Sequence, residues 1–285
     1  MEQGIYELPL NERLRTFMRI EFLYLRLNNF SNSKDHWQIR TTIHTLLEIY
    51  TILARTDVRR EVLADLDRYI IQMQRFQSMP DADNEMVTNL LEDLNAIKEK
   101  MIQLGTGYLN PLRDDDYISA LLHRHTLPGG KAEFDMPRYK FWLEGDSKAL
   151  NNDLNEWINV IKPICAGIER LMWIIRESSE PIGTVASSGQ YNHQIGKTAQ
   201  ISLIRVFLDN VNVYPEISGG RHMIAIRFLE RNDDGRRLQV PGWLHRSQWR
   251  TVHEVPCGNI QGSQWVVCMQ TLPCKFVFRA RVLLR

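Results

Sequence analysis

The chain has 285 residues, 44% apolar and 24% charged, with a formal net charge of +1. That is long enough for a sizeable core in one large domain or two ordinary ones. No apolar run approaches the roughly 18 to 20 residues that span a bilayer, there is no basic-then-apolar leader pattern, and four irregularly spaced cysteines suggest no disulfide framework, so the sequence reads as cytoplasmic. Residues 231–285 carry nine Lys/Arg against three Asp/Glu, which leaves positions 1–230 at a net −5. An acidic body of that kind is not a general nucleic-acid binder, which needs a basic field over phosphates.

Tyr6 to Pro9 reads as an extended segment feeding a helix with Asn11 as its N-cap. Leu14, Phe17, Met18, Phe22 and Leu25 make one apolar stripe on it. A second helix is predicted from about Asp35 to Ala54, with Ile39, Ile43, Leu46, Leu47, Tyr50 and Leu53 on its apolar side. A third begins near Asp57, carries Val62, Leu66, Tyr69, Ile70, Met73 and Phe76, and ends at Ser78-Met79-Pro80-Asp81. A fourth uses Met86, Leu90, Leu91, Leu94, Ile97 and Met101 and stops at Gly105-Thr106-Gly107. A shorter one runs from Asp115 to His125 and ends at Leu127-Pro128-Gly129-Gly130. The longest pattern starts near Asp146 and extends to Ile175, with a kink or break expected at Pro163. Its second half is apolar on more than one face, which suggests burial at a bundle centre or between subunits.

The character changes at 178–198, which is rich in Ser and Gly and reads as a loop. Ile201–Leu208 and Met223–Leu229 read as strands, separated by a turn-rich piece, Tyr214 to Gly220. Two strands alone are marginal, so Phe134 and Phe141-Trp142 are expected to add strands from elsewhere. The fold class is α+β, a mainly helical bundle domain with a smaller antiparallel β domain.

No catalytic motif is present. Gly196-Lys197-Thr198 ends like a phosphate-binding loop, but Tyr191 stands where that motif needs a glycine. His123 and His125 lie two apart, whereas helical ligand pairs favour three or four; solvated helix-end histidines are the plainer reading. Cys257, Cys268 and Cys274 do not match zinc-knuckle spacing, and Cys165 reads as a core thiol. Asp114-Asp115-Asp116 reads as a charged first turn meeting the positive end of a helix dipole. No cofactor and no metal is expected. The arginines are more suggestive: Arg13, Arg15, Arg19, Arg55, Arg59, Arg60 and Arg113 at helix faces or ends, Arg221 and Arg227 among the strands. By themselves they are explained as surface charge in weak exposed ion pairs.

The opening Tyr6-Glu7-Leu8-Pro9-Leu10-Asn11-Glu12-Arg13 is joined by other ordered segments. These are Thr56 to Arg68, Ser119 to Gly130, Phe134-Asp135-Met136-Pro137 with Phe141-Trp142-Leu143, Tyr214 to Gly219, and Ala225-Ile226-Arg227-Phe228. Together, over roughly 4–230, they resemble the ZapD family, bacterial cell-division proteins that bind and cross-link FtsZ filaments. The resemblance implies a helical domain plus a smaller β domain, a homodimer, no enzymatic activity, and the C-terminal tail of FtsZ as partner at midcell. That tail mixes acidic and apolar residues, and the planar fork of arginine takes a carboxylate bidentately. Arg19, Arg55 and Arg227 stand in matching contexts, Arg221 in a looser one, and Lys140 where the family can have another basic residue; Asp116 departs from a basic position of some relatives. The candidate tail-binding or bundling residues are Arg19, Arg55, Arg59, Arg113, Lys140, Arg221 and Arg227.

Three segments are expected: 1–177, a mainly α-helical dimerisation domain in which part of 131–145 pairs with the β domain; 178–234, the β domain; and 235–285, an atypical tail. The resemblance stops near Asp234. Beyond it come Trp243, Trp249, Trp265 and three of the four cysteines. That stretch reads as frameshifted or disordered, although Lys275–Leu284 suits a strand. Competing readings are a helical adaptor dimer for another acidic peptide and a DNA binder acting through the basic tail.

Overall fold

A computed structural model describes residues 4–78, 83–130, 132–178, 182–183, 186, 189–195, 200–208, 213–220, 222–231, 237–239 and 266–272. The chain divides into two compact units: Thr16–Trp173, which is helical, and Met1–Arg15 with Ile174–Arg285, which is built on strands. This is the α+β class that the periodicity predicts. The opening segment falls with the strands, not with the helices of the expected 1–177 domain, because it is itself a paired strand.

The helices are α1 (Glu12–Phe30), α2 (His36–Arg55), α3 (Val58–Gln77), α4 (Asn84–Gln103), α5 (Asn110–Arg113), α6 (Asp116–His125), α7 (Pro137–Leu143) and α8 (Ser147–Glu177). Most of their starts are set by short polar side chains, though α5 and α7 have none. Asn11 Oδ1 accepts from the Leu14 N–H at 2.8 Å. Asp35, Asp57, Asp83 and Asp115 cap α2, α3, α4 and α6 in the same way, each worth about 1 kcal/mol. α4 ends where Gly105 takes a φ of 67°, a left-handed turn that costs glycine little.

The buried face of α1 is Leu14, Phe17, Ile20, Leu23, Tyr24 and Leu27. The expected stripe is therefore rotated. Met18 is half-buried, Phe22 and Leu25 are exposed, and these three form a separate apolar row at i, i+4 and i+7. Arg26 of α1 donates to Thr45 Oγ1 at 2.8 Å and pairs with Glu48, both on α2. α8 runs unbroken through Pro163. Proline removes the donor for the carbonyl four residues back, and Asn159 there is an exposed position. A Cβ on Gly167 of α8 would lie 3.1 Å from Val62 Cγ1 of α3 and 3.5 Å from Ile97 Cγ2 of α4, so these helices meet closely.

Residues 131–145 contribute no strand among the described residues. Pro137 sits at the start of α7, where a fixed φ and a missing N–H suit the first helical turn. Tyr139 and Leu143, four apart, are buried, while Phe134 and Phe141 are exposed. The aromatic density that suggested strands is arranged at helical spacing.

In the other unit the strands are β1 (Gly4–Pro9), β2 (Ile182–Gly183), β3 (Gln190–Gln194), β4 (Gln200–Leu208), β5 (Val213–Gly219), β6 (Met223–Arg231), β7 (Arg237–Gln239) and β8 (Val266–Leu272). One sheet runs β1-β4-β8-β2; the other runs β3-β6-β5, with β7 also on β6. Every pairing among the described strands is antiparallel: β1 meets β4 from Gly4↔Leu208 to Pro9↔Leu203, and β5 meets β6 from Val213↔Glu230 to Gly219↔Ile224. The core is Ile204, Val206, Leu208, Val213, Ile224, Ile226 and Phe228, with Leu8, Leu10 and Tyr191 packed against it.

Two segments read as turn or loop are strands. Tyr214–Gly219 lies in β5 despite Pro215, because an edge strand tolerates a missing donor. Gln190–Gln194 is β3, paired with Met223–Arg227; its partner strand supplies the order that its polar sequence lacks. Gly196-Lys197-Thr198 and Lys275–Leu284 lie outside the described residues. No helix among the described residues is long and apolar enough to cross a membrane.

Candidate functional site

The predicted basic residues divide by what their side chains already hold. Arg59, in the first turn of α3, donates from Nε to the Met101 carbonyl at 2.9 Å and from NH2 to the Ile102 carbonyl at 3.4 Å. Those carbonyls lie in the last turn of α4, where helix geometry leaves acceptors without intrahelical partners and the dipole favours a cation. Arg59 therefore clasps α3 to α4. Arg113 makes a forked pair with Asp114, Nε to Oδ1 at 2.9 Å and NH2 to Oδ2 at 3.3 Å. Both groups are exposed, and the hydrogen bond holds the Asp114 carboxyl below the usual carboxylate range. Lys140 on α7 reaches Glu133 at 3.0 Å and Glu144 at 3.8 Å; its hydrogen bond to Glu133 pushes the ammonium pKa up.

Arg19, Arg55 and Arg227 are different. Each is exposed, and none makes an ion pair among the described residues. Arg19 is on the solvent side of α1, one turn from Phe22. Arg55 is the last residue of α2, where a cation complements the helix end. Arg227 is in the middle of β6, with Gln190 and Glu216 as its cross-strand neighbours. Alternation places it on the face opposite the buried Ile226 and Phe228. Arg221 lies outside the described residues. The helical unit thus carries Arg19, Arg55, Arg59, Arg113 and Lys140, and the strand unit carries Arg227.

One charged cluster in the strand unit has no counterpart in the sequence reading. Glu7 on β1 accepts from Arg176 Nε and NH2, both at 2.9 Å, and from Arg205 Nε at 2.8 Å. Arg205 NH1 also donates to the Arg176 carbonyl at 3.0 Å. Glu7 and Arg205 are register partners across β1 and β4. Two guanidiniums around one carboxylate fasten the opening strand and the end of α8. Glu7 precedes the two arginines by 169 and 198 positions, and only tertiary structure brings the three together, so no local sequence signal marks them.

Cys165 is a buried thiol whose pKa burial pushes up, so it is a core group and not a nucleophile. The rings of His44 and His125 are 4.6 Å apart, and His44 Nδ1 lies 3.4 Å from Glu48. Among the described residues no group of three or more His, Cys, Asp or Glu side chains is disposed to hold a metal ion.

The family model described as "ZapD: Cell division protein" matches residues 18–227. Relatives named cell division protein ZapD cover most of both chains. That of Methylococcus capsulatus is 30% identical over 238 residues, 83% of this chain and 93% of its own. That of Bordetella petrii is 31% identical, at 83% and 94% coverage, and that of Shewanella oneidensis 31%, at 81% and 92%.

Proposed function

The chain belongs to the ZapD family of cell division proteins, and from that premise we propose that it is a non-enzymatic cross-linker of FtsZ filaments. It acts in the cytoplasm at midcell, as a homodimer that binds FtsZ C-terminal tails. The observation that carries this reading is the trio of exposed guanidiniums at Arg19, Arg55 and Arg227, which make no ion pair among the described residues. An acidic tail meets them without displacing a resident carboxylate, which it would have to do at Arg113 or Lys140. The exposed Phe22 and Leu25 on α1, in one row with the half-buried Met18, support self-association, since they leave apolar surface open in the single chain. A two-fold dimer presents two identical tail sites. Filaments display many tails, so weak single-site binding becomes avidity.

The test is co-sedimentation with FtsZ filaments, using wild type, a variant carrying Arg19→Glu, Arg55→Glu and Arg227→Glu, and FtsZ lacking its tail. Loss of bundling with the triple variant and with tail-less FtsZ is expected, as is weakening with salt. A folded triple variant that bundles normally sinks the residue assignment. Undiminished bundling of tail-less FtsZ sinks the partner assignment.

A further inference from the structure

Within the helical unit, a hollow of about 680 Å³ is lined by the start of α6, by α7 and by the first half of α8. Its aromatic part is Tyr117, Trp142 and Trp157, whose ring centroids are 5.5 to 5.6 Å apart. Its polar part is acidic: Asp115, Asp116, Asp146, Asp153 and Glu156, against a single lining cation, Arg138. Rings and acids are tied together. Asp153 accepts from the Trp142 indole N–H at 2.8 Å, and Asp115 accepts from that of Trp157 at 3.2 Å.

Three observations separate this hollow from a merely solvated acidic face. Asp116 and Glu156 make no ion pair among the described residues. Tyr117 is only 8% exposed, yet its hydroxyl has no hydrogen-bond partner among the described residues, and such a group in a native structure calls for a reason. The Arg138 guanidinium lies 5.3 Å from the Tyr117 centroid, so these rings already hold a cation against their π-face.

We infer that this hollow is a second binding site, which takes an arginine side chain of a partner polypeptide. Carboxylates beside aromatic faces suit a planar guanidinium, which stacks and forks at once; an ammonium does neither. The volume exceeds what one guanidinium needs, so flanking backbone enters too. The site has the opposite sign to the guanidinium surface of Arg19 and Arg55 and does not depend on the filament reading.

The test is calorimetric titration of the full chain with an end-blocked peptide of alternating glycine and arginine, beside its citrulline analogue of the same shape without charge. One arginine peptide per chain is expected, with citrulline about tenfold weaker or more, a loss of about 1.4 kcal/mol or greater. Asp116→Asn with Glu156→Gln, both at exposed positions, should weaken binding by a similar factor. Glu92→Gln with Glu99→Gln, a charge-matched change on α4, should leave it alone, as should Arg19→Glu. No binding, equal binding of the citrulline peptide, or equal weakening by the two double variants overturns the proposal. The last of these would show attraction to the acidic body as a whole.

Discussion

Replacing Glu7 by alanine tests whether the opening strand is held by charge. The carboxylate accepts from two guanidiniums whose side chains are only 22% and 14% exposed. Its removal takes from both, in a poorly solvated place, the carboxylate they share; Arg205 keeps a bond to the Arg176 carbonyl. Breaking a buried pair on one side costs about 3–5 kcal/mol. Residual exposure lowers that to about 2–4 kcal/mol, since water screens part of the loss. The cost should fall on the β1–β4 ladder, so the readout is hydrogen exchange in peptides spanning residues 200–208. Exchange there should accelerate by about thirtyfold to several hundredfold where it reports opening free energy. The comparison is Glu12→Ala, whose partner Arg15 and own side chain are well exposed; that loss should stay near 1 kcal/mol or below. The reasoning fails if Glu7→Ala is no worse than Glu12→Ala. Replacing all three residues, Glu7→Leu, Arg176→Met and Arg205→Leu, should recover much of the stability, because no charge is then left buried.

Two other changes follow from the packing. The Glu169 carboxyl on α8 is pushed up, first by burial and then by Glu21 of α1. A carboxyl raised in the folded state carries no penalty while both states are protonated, below the unfolded value of about 4.3. Stability is lost as pH climbs through the folded value. Glu169→Gln should therefore be more stable than wild type at neutral pH, with the difference vanishing in acid; denaturant titrations at several pH values showing a gap that widens in acid would contradict it. At Gly219 an added Cβ would come 2.2 Å from Leu10 Cδ2, 3.3 Å from Leu8 Cδ2 and 3.4 Å from Ile204 Cδ1. Gly219→Ala should cost about 1–2 kcal/mol by overpacking, and pairing it with Leu10→Ala should recover at least about 0.5 kcal/mol relative to the sum; strict additivity would show that the contact is not felt.

Local chemistry placed α1 to α4, α6 and α8 because their boundaries are local events; it missed α7, where strands were expected. Asn11, Asp35, Asp57 and Asp115 cap from one residue outside, and Gly105 stops α4 by a backbone preference that no neighbour needs to supply. The family resemblance was equally legible, since it rests on residue identity and order. Which apolar residues of α1 are core was not legible. Leu14 and Phe17 belong to the core, while Phe22 and Leu25 do not, because a helix with apolar residues on two faces does not reveal which face its neighbours will cover.

The sequence by itself determined the α+β class, the places of α1 to α4, α6 and α8, and the family, through signals spanning a few residues or an ordered set of motifs. Tertiary structure alone decided which charges are committed. Arg59 is bound to the end of α4 and Glu7 to Arg176 and Arg205, while Arg19, Arg55 and Arg227 are exposed and make no ion pair among the described residues. It also made strands of Gln190–Gln194 and Tyr214–Gly219, and it gathered Tyr117, Trp142 and Trp157 among carboxylates. The reason is common to all of these. A strand, an ion pair and an aromatic hollow each need partners distant in the chain, and only the folded backbone brings those partners within reach.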